Sequence, residues 1–199
     1  QGVSSAASDV YKRQAVTGSV HGKSVAYVRE AGVAQGCDAV LTDQPDLALV
    51  TLAADCVPVV LADPDRWLVA AVHCGWRGLA RGVITEAVRT MADRGATTMT
   101  AVVGPSICAT CYPVPPERVA QLRSAVAQQI AEQACFENPA RIAVGPGVIA
   151  ELKMMRSLGL EHIEVVPGCT AEDSRLFTFR GSGTMDRHAM VIAGFRESS

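Results

Sequence analysis

Three nearly continuous apolar stretches follow one another in the first half of the chain, at residues 47–53, 58–62 and 67–73. Each has the length of a strand, and none alternates with polar residues, which is the pattern of strands covered on both faces. Shorter strands are predicted at 24–28, 39–42, 99–103, 162–166, 176–180 and 188–193. Apolar residues at helical spacing predict helices at 79–94, 117–135 and 148–158. Buried strands with covering helices indicate an α/β layered domain.

The composition predicts a single domain that binds neither nucleic acid nor a membrane. The chain has 199 residues, 49% of them hydrophobic, which is enough for one sizeable core. Its 18 basic and 20 acidic residues leave a formal net charge of -2, and no run of Lys or Arg could follow a phosphate backbone or an anionic membrane. Because neither a signal peptide nor a membrane-length apolar run is recognisable, we expect a cytoplasmic protein.

The first fourteen residues lack the apolar period of a folded segment. Residues 9–14 match what a common adapter of sequencing libraries would encode in one frame. We therefore interpret 1–14 as a non-native or disordered leader and expect a single domain over 15–199. The same fourteen codons in DNA recloned from the source organism would contradict this interpretation.

One cysteine and one histidine lie at the ends of neighbouring predicted strands. Cys56 follows Asp55 at the entrance to the second apolar stretch, and His73 ends the third. Either residue alone is more often a packed core residue than a ligand. His21 adds a second imidazole, beside Gly22, which lets the backbone approach another group closely. Two imidazoles and a thiol at long spacings fit a three-ligand catalytic metal site better than a structural zinc site with paired short spacings.

A Gly-Trp-Arg-Gly segment follows directly, at residues 75–78. Gly75 and Gly78 are predicted to turn the chain sharply and to start a helix, which would expose backbone N–H groups beside the guanidinium of Arg77. This combination predicts a site for an anion. Asp55, the nearest carboxylate in the sequence, is the predicted general acid or the partner of a metal ligand.

The other cysteines and histidines are interpreted as structural. The seven cysteines are odd in number and scattered, so reduced thiols are expected. Cys108 and Cys111 have the Cys-x-x-Cys spacing, but without a second such pair or a thioredoxin-like setting we interpret them as loop and pocket wall. The signature of zinc nucleobase deaminases is also missing. His162 and His188 are predicted to pack on strands, with His188 the nearer to a site.

Four motifs together resemble the YfiH-like laccase-domain family. They are Ala-Asp-Cys-Val-Pro at 54–58, His-x-Gly-Trp-Arg-Gly at 73–78, Gly-Pro-x-Ile at 104–107 with Cys-Tyr at 111–112, and Cys-Thr at 169–170 with Phe-x-Phe-Arg at 177–180. The resemblance extends over about residues 15–195. Members of the family are described as purine nucleoside phosphorylases with adenosine deaminase activity, as peptidoglycan editing factors and, under an older name, as multicopper polyphenol oxidases.

The resemblance implies a three-layer α/β/α sandwich with a mixed sheet, related to the catalytic domain of a deamidating bacterial toxin. It implies that His21, Cys56 and His73 bind zinc and that Arg77 lines the same pocket. The expected substrates are adenosine, inosine, guanosine or methylthioadenosine together with phosphate, contacted by Arg77, Gly75, Gly78 and Arg180. Family members are longer at the N-terminus, so the domain is expected to be shortened there.

Several alternatives stay open at the level of sequence. Copper is a less favoured metal than zinc, because a multicopper oxidase needs many more imidazoles than the four histidines of this chain. Cys56 and His73 could instead form the nucleophile and base of a hydrolase acting on amides in peptidoglycan precursor editing. A non-catalytic binding module whose metal only fixes loops is the third reading. The expected oligomeric state is a monomer or a weak homodimer.

Overall fold

The computed structural model describes residues 13–194, and all structural statements below concern that part of the chain. Its strands are β1 (Gln14–Thr17), β2 (Val25–Tyr27), β3 (Gly32–Ala34), β4 (Ala39–Thr42), β5 (Ala48–Ala53), β6 (Val57–Asp63), β7 (Leu68–Cys74), β8 (Met99–Val103), β9 (Cys135–Glu137), β10 (Ala140–Ile142), β11 (Leu160–Val165) and β12 (His188–Ile192). Its helices are α1 (Trp76–Arg81), α2 (Val83–Asp93), α3 (Pro116–Ala125), α4 (Gln128–Ala134), α5 (Val144–Lys153) and α6 (Phe179–Ser182), with a 3-10 turn at Arg156–Leu158.

A six-stranded mixed sheet with the order β11-β8-β6-β7-β4-β2 forms the centre of the fold. Its four middle strands pair antiparallel with one another, whereas the edge strands β11 and β2 run parallel to their neighbours. A second sheet with the order β12-β5-β1-β3 packs on one face, where β5 contacts β7 and β12 contacts β6. Helices α2 and α5 cover the other face. The fold therefore has three layers.

Each face of the central sheet contributes to its own hydrophobic core. On β6, Val59 and Leu61 belong to the core under the helices, whereas Val60 between them belongs to the core between the two sheets. All three are buried, which explains why the apolar stretches of the sequence show no alternation. The predicted α/β class and the mixed sheet are confirmed, and the structure adds that the second outer layer is a four-stranded sheet where the resemblance implied helices.

The predicted elements differ from the structure in informative places. Strands β4 and β8 have the predicted bounds, but the helix predicted at 79–94 is divided at Gly82, which takes a positive φ of 76° between α1 and α2. The helix predicted at 117–135 is likewise interrupted, because residues 126–127 are extended. The strand predicted at 176–180 is wrong: Thr178 accepts a hydrogen bond from Gly181 N at 3.0 Å and caps the single-turn helix α6.

The predicted leader lies outside the described residues, apart from its last two. Arg13 O accepts a hydrogen bond from Ala48 N, and Gln14 is the first residue of β1, where it pairs with Ala48 of β5. Across residues 13–194, every helix is too short or too polar to cross a lipid bilayer.

Candidate metal centre and active-site cavity

His21, Cys56 and His73 lie together at one end of the central sheet. His21 lies in the loop between β1 and β2, Cys56 in the turn before β6, and His73 one residue before the end of β7. Because β6 and β7 are paired, with Pro58 opposite His73, the turn that carries Cys56 is brought beside that histidine. One ligand atom from each of the three residues lies within 4.8 Å of the others, and Cys56 Sγ is 3.7 Å from His21 Nε2. We call this group the His-Cys-His cluster.

Asp38, which the sequence analysis did not single out, orients both histidines. Its Oδ1 accepts hydrogen bonds from His73 Nδ1 at 2.9 Å and from His21 N at 2.8 Å, and its Oδ2 accepts one from Gly22 N at 2.6 Å. With Nδ1 engaged in this way, Nε2 of His73 remains available to a metal ion. The only signal in the sequence is an acidic residue directly before the fully buried strand β4.

The backbone holds His21 in an uncommon conformation close to Gly75. His21 has a positive φ of 61°, and its carbonyl oxygen accepts a hydrogen bond from Arg81 Nη1 at 2.6 Å. A Cβ atom on Gly75 would lie 2.8 Å from His21 Cδ2 and 2.9 Å from Cys56 Sγ. The cluster therefore needs a glycine at position 75.

The ionisation of Cys56 and His73 is coupled. Burial opposes the thiolate, but hydrogen bonds from His21 and His73 and their positive charge lower the pKa of Cys56 to about 6. Burial likewise opposes the imidazolium, but the hydrogen bonds to Asp38 and Cys56 raise the pKa of His73 to about 9. In the metal-free protein, these contacts thus favour a Cys56 thiolate beside a His73 imidazolium.

The cluster opens into a cavity of about 610 Å³, the size of small-molecule sites in other proteins. Besides His21, Cys56 and His73, its wall carries three arginines and three aromatic residues, namely Arg77, Arg180, Arg187, Trp76, Tyr112 and Phe179. The guanidinium of Arg77 lies 5.0 Å from the centre of the Trp76 ring, and that of Arg180 lies 5.1 Å from the Tyr112 ring. Arg187, which the sequence analysis did not name, adds a third positive charge.

The two glycines predicted to contact substrate or phosphate, Gly75 and Gly78, have different positions relative to the cavity. Gly75 lines the cavity at the start of α1, whereas Gly78 is buried, with Val83 Cγ1 3.3 Å from a hypothetical Cβ. The helix packs Gly78 against α2 and away from the cavity lining, so its predicted contact with substrate or phosphate stays a prediction without support from the position of this residue. Of the cysteine pair interpreted as loop and pocket wall, Cys108 and Cys111 lie in a loop but do not line the cavity; Tyr112 beside them does.

Asp55 lines the cavity, and its carboxylate holds two loops together. Oδ1 accepts a hydrogen bond from Thr170 Oγ1 at 2.7 Å, and Oδ2 accepts one from Arg180 N at 2.7 Å. Its backbone has a positive φ of 83°, and its carbonyl oxygen accepts a hydrogen bond from Ile107 N at 3.0 Å. The carboxylate that contacts a histidine of the cluster is therefore Asp38, and Asp55 positions the cavity wall. His188 opens β12 and His162 lies exposed on β11.

Replacing Gly75 by alanine is expected to weaken metal binding by about 10- to 100-fold, the range found when groups supporting metal ligands are changed. The backbone φ of -87° at Gly75 accommodates alanine, so the effect should come from the contacts of the new Cβ with His21 and Cys56. Gly194→Ala is the matched control, because its Cβ would meet only ordinary contacts at 3.8 Å or more. Competition with a chelator measures both affinities, and equal affinities would contradict the arrangement of the cluster.

The sequence of this chain matches the model of a known protein family. The model of the family described as multi-copper polyphenol oxidoreductase laccase matches residues 3–194. The chain therefore belongs to this laccase-domain family, and the resemblance stated from its motifs is confirmed.

Two relatives come from Streptomyces species. A purine nucleoside phosphorylase of Streptomyces coelicolor is 40% identical over 157 residues, which are 78% of this chain and 63% of that protein. A purine nucleoside phosphorylase of Streptomyces griseus is 39% identical over 179 residues, 87% of this chain and 71% of that protein. The chain thus spans less than two thirds of the first of these relatives.

Solved structures share the fold. The YfiH protein of Bacillus licheniformis superposes with a TM-score of 0.77 at 25% identity, covering 92% of this chain and 74% of the other. The YlmD protein of Geobacillus stearothermophilus superposes with a TM-score of 0.78 at 26% identity, with the same coverage. These likenesses support the layered α/β fold described above.

Proposed function

We propose that this protein is a zinc-dependent purine nucleoside phosphorylase that cleaves the N-glycosidic bond of adenosine, and of inosine, guanosine and methylthioadenosine, with inorganic phosphate. The observation that carries the proposal is the His-Cys-His cluster at the wall of a cavity that also presents arginine and aromatic side chains. Relatives named purine nucleoside phosphorylase support the same reaction class.

The chemistry of the donors fits zinc. Two imidazole nitrogens and one thiolate are ligands that Zn²⁺ prefers, and three protein ligands leave a tetrahedral ion one position for substrate. The buried carboxylate of Asp38 accepts a hydrogen bond from His73 Nδ1 and so orients this ligand. The family description suggests copper, but four histidines in the whole chain are too few for several copper ions. When bound, zinc would supply a Lewis acid that polarises an oxygen of phosphate or of the ribose.

The other residues of the cavity suit an anion and a purine. Arg77 and Arg180 place guanidinium groups at the wall, where they can neutralise phosphate and the negative charge that develops in the transition state. Trp76 and Tyr112 offer flat faces for the purine ring. Asp55 enters the proposal as a positioning residue, because both of its oxygens already accept hydrogen bonds from the two loops of the cavity wall.

Adenosine deamination is proposed as a side reaction of the same site. Water would add at the purine C6 and ammonia would leave from it, so that inosine and ammonia would form in place of adenine and ribose 1-phosphate. The cavity would hold the nucleoside in both reactions. The oligomeric state is proposed to be a monomer or a weak homodimer.

The products formed from adenosine with and without phosphate test the proposal. We expect adenine and ribose 1-phosphate in equal amounts when phosphate is present, and a loss of adenine when phosphate is omitted. Inosine that forms independently of phosphate would report the side reaction. Adenine released at the same rate without phosphate would contradict phosphorolysis.

A second function is favoured by one observation. Cys56 with a pKa of about 6 and His73 with a pKa of about 9 form a thiolate–imidazolium pair, and Asp38 orients the histidine as in hydrolases with a Cys-His-acid triad. The metal-free protein would then hydrolyse amides such as those of peptidoglycan precursors. Amide hydrolysis that is stopped by zinc would favour this reading, whereas turnover that requires zinc would contradict it.

A non-catalytic binding module would retain the metal without turnover of adenosine or of an amide.

A further inference from the structure

Three cysteines and a glutamate converge outside the cavity lining. Cys108 and Cys111 lie in the loop after β8, whereas Cys169 and Glu172 lie in the loop after β11. One ligand atom from each residue lies within 4.8 Å of the others. Glu172 Oε1 is 3.3 Å from Cys111 Sγ and 3.8 Å from Cys108 Sγ. We call this group the Cys-Glu cluster.

The backbone of the two loops arranges these side chains. Cys108 N donates a hydrogen bond to Cys169 Sγ at 3.3 Å, which joins the loops and gives the sulfur a backbone donor. Cys111 N donates to Cys108 O at 3.2 Å, and Glu172 N donates to Cys169 O at 3.1 Å. Each loop therefore forms a turn with two of the four side chains, three positions apart in the sequence, on the side that faces the other loop. The pair Cys169 and Glu172 was not predicted from the sequence, because its second residue is a glutamate and the pair therefore lacks the Cys-x-x-Cys pattern.

The donors have the chemistry of a closed zinc site. Structural zinc takes four protein ligands, with thiolates at about 2.3 Å, so that the sulfurs of a tetrahedral site lie about 3.8 Å apart. The separations within the Cys-Glu cluster, up to 4.8 Å, need only a small contraction to reach this geometry. Cys108, Cys111 and Cys169 are half-buried, and Glu172 closes the group from the exposed side.

We propose that Cys108, Cys111, Cys169 and Glu172 bind a second zinc ion, which is structural. Four protein ligands leave it no open position, so it takes no part in the reaction. The proposal goes beyond the proposed function and would stand if the cavity catalysed a different reaction.

The second zinc ion would link the two loops that form one wall of the cavity. The first loop carries Ile107 and Tyr112, both of which line the cavity. The second loop carries Thr170, whose hydroxyl donates to the carboxylate of Asp55. Binding of zinc across the loops would therefore hold Asp55 and the Tyr112 ring in place, a role that the hydrogen bonds between the loops would fill only in part.

Cobalt titration of the full-length, reduced and metal-free protein tests the proposal. Bonds between Co²⁺ and thiolates give a charge-transfer absorption, and in Cys56→Ala every such bond must come from the Cys-Glu cluster. We expect Cys56→Ala to bind one tightly held Co²⁺ with this absorption, and Cys56→Ala combined with Cys111→Ser to bind Co²⁺ at least about tenfold more weakly and, at saturation, to lose about one third of the absorption. The matched control is Cys56→Ala combined with Cys37→Ser, which should keep it. An unchanged spectrum in the Cys111→Ser combination would overturn the proposal.

Alkylation of the wild-type protein tests it without any substitution. A thiolate bound to zinc is a poorer nucleophile than a free one, so zinc should slow the labelling of Cys108, Cys111 and Cys169 by at least about tenfold. Cys37 should be labelled at the same rate with and without zinc, and mass spectrometry of the peptides identifies each thiol. Equal labelling of Cys108, Cys111 and Cys169 in the presence and absence of zinc would overturn the proposal, whatever the outcome of the nucleoside assay.

Discussion

Replacing Cys56 by alanine is expected to remove one zinc ion per chain and to lower the rate of phosphorolysis by at least about a thousandfold. Cys56 is the one thiolate of the His-Cys-His cluster, and His21 and His73 alone would bind the ion weakly. A metal ion contributes several kcal/mol to the stabilisation of charge in the transition state, and about 1.4 kcal/mol corresponds to a factor of ten in rate. Metal analysis of the purified protein and the initial rate with adenosine and phosphate measure the two effects.

Cys37→Ser is the matched control for this experiment, because it also removes one half-buried thiol but lies outside both clusters. It should keep the zinc content and the rate of the unchanged protein. Zinc content and rate that both survive in Cys56→Ala would contradict the assignment of the metal site. Rate lost with the zinc content unchanged would also contradict the assignment, because Cys56 would then be needed for the reaction without binding the ion.

Replacing Asp38 by asparagine is expected to weaken zinc binding at the His-Cys-His cluster by about 10- to 100-fold when measured above the His73 pKa of about 9. One carboxylate accepts hydrogen bonds from His73 Nδ1, His21 N and Gly22 N, and an amide can offer only one oxygen to these three donors. At least one donor would then face the NH₂ group. Competition with a chelator of known affinity gives the ratio of dissociation constants.

The pH dependence of zinc affinity distinguishes two effects of Asp38. Asp38 orients His73 at every pH, whereas its charge favours the protonated His73, which competes with zinc only at lower pH. Below its pKa of about 9, His73 is protonated in the metal-free protein, and zinc must displace that proton, so affinity falls as the pH falls. Loss of the Asp38 charge lowers the pKa of His73, so the affinity of Asp38→Asn should fall less steeply towards low pH. Asp65→Asn, at an exposed position on a turn, is the control. Parallel pH profiles for Asp38→Asn and the unchanged protein would contradict the role given to Asp38.

Much of the central sheet could be predicted because burial on both faces leaves a clear mark on the sequence. The runs that became β6 and β7 are apolar at successive positions, since alternate side chains enter different cores. The short strands β1 and β3 were not predicted. Each has only three or four residues, and their partners are distant in the chain, so tertiary pairing decides their conformation.

The ligands of the candidate metal centre could be predicted, but their support could not. Cys56 and His73 are reactive residue types at strand ends, and pairing of adjacent strands is the default for consecutive apolar stretches. Asp38 looks like any acidic residue before a strand, and only the folded chain shows that it contacts two histidines. The Cys-Glu cluster escaped for the same reason, because Cys108 and Cys169 are 61 positions apart in the chain and a glutamate stands where a second Cys-x-x-Cys pair would have a cysteine.

The release of adenine from adenosine and phosphate, followed through removal and restoration of zinc, tests the central claim most directly. We expect the protein stripped of metal to have lost this activity and added zinc to restore it, with one ribose 1-phosphate formed for each adenine. Phosphorolysis at an unchanged rate in the stripped protein, with metal analysis showing no bound ion, would contradict the claim that the His-Cys-His cluster works as a zinc site.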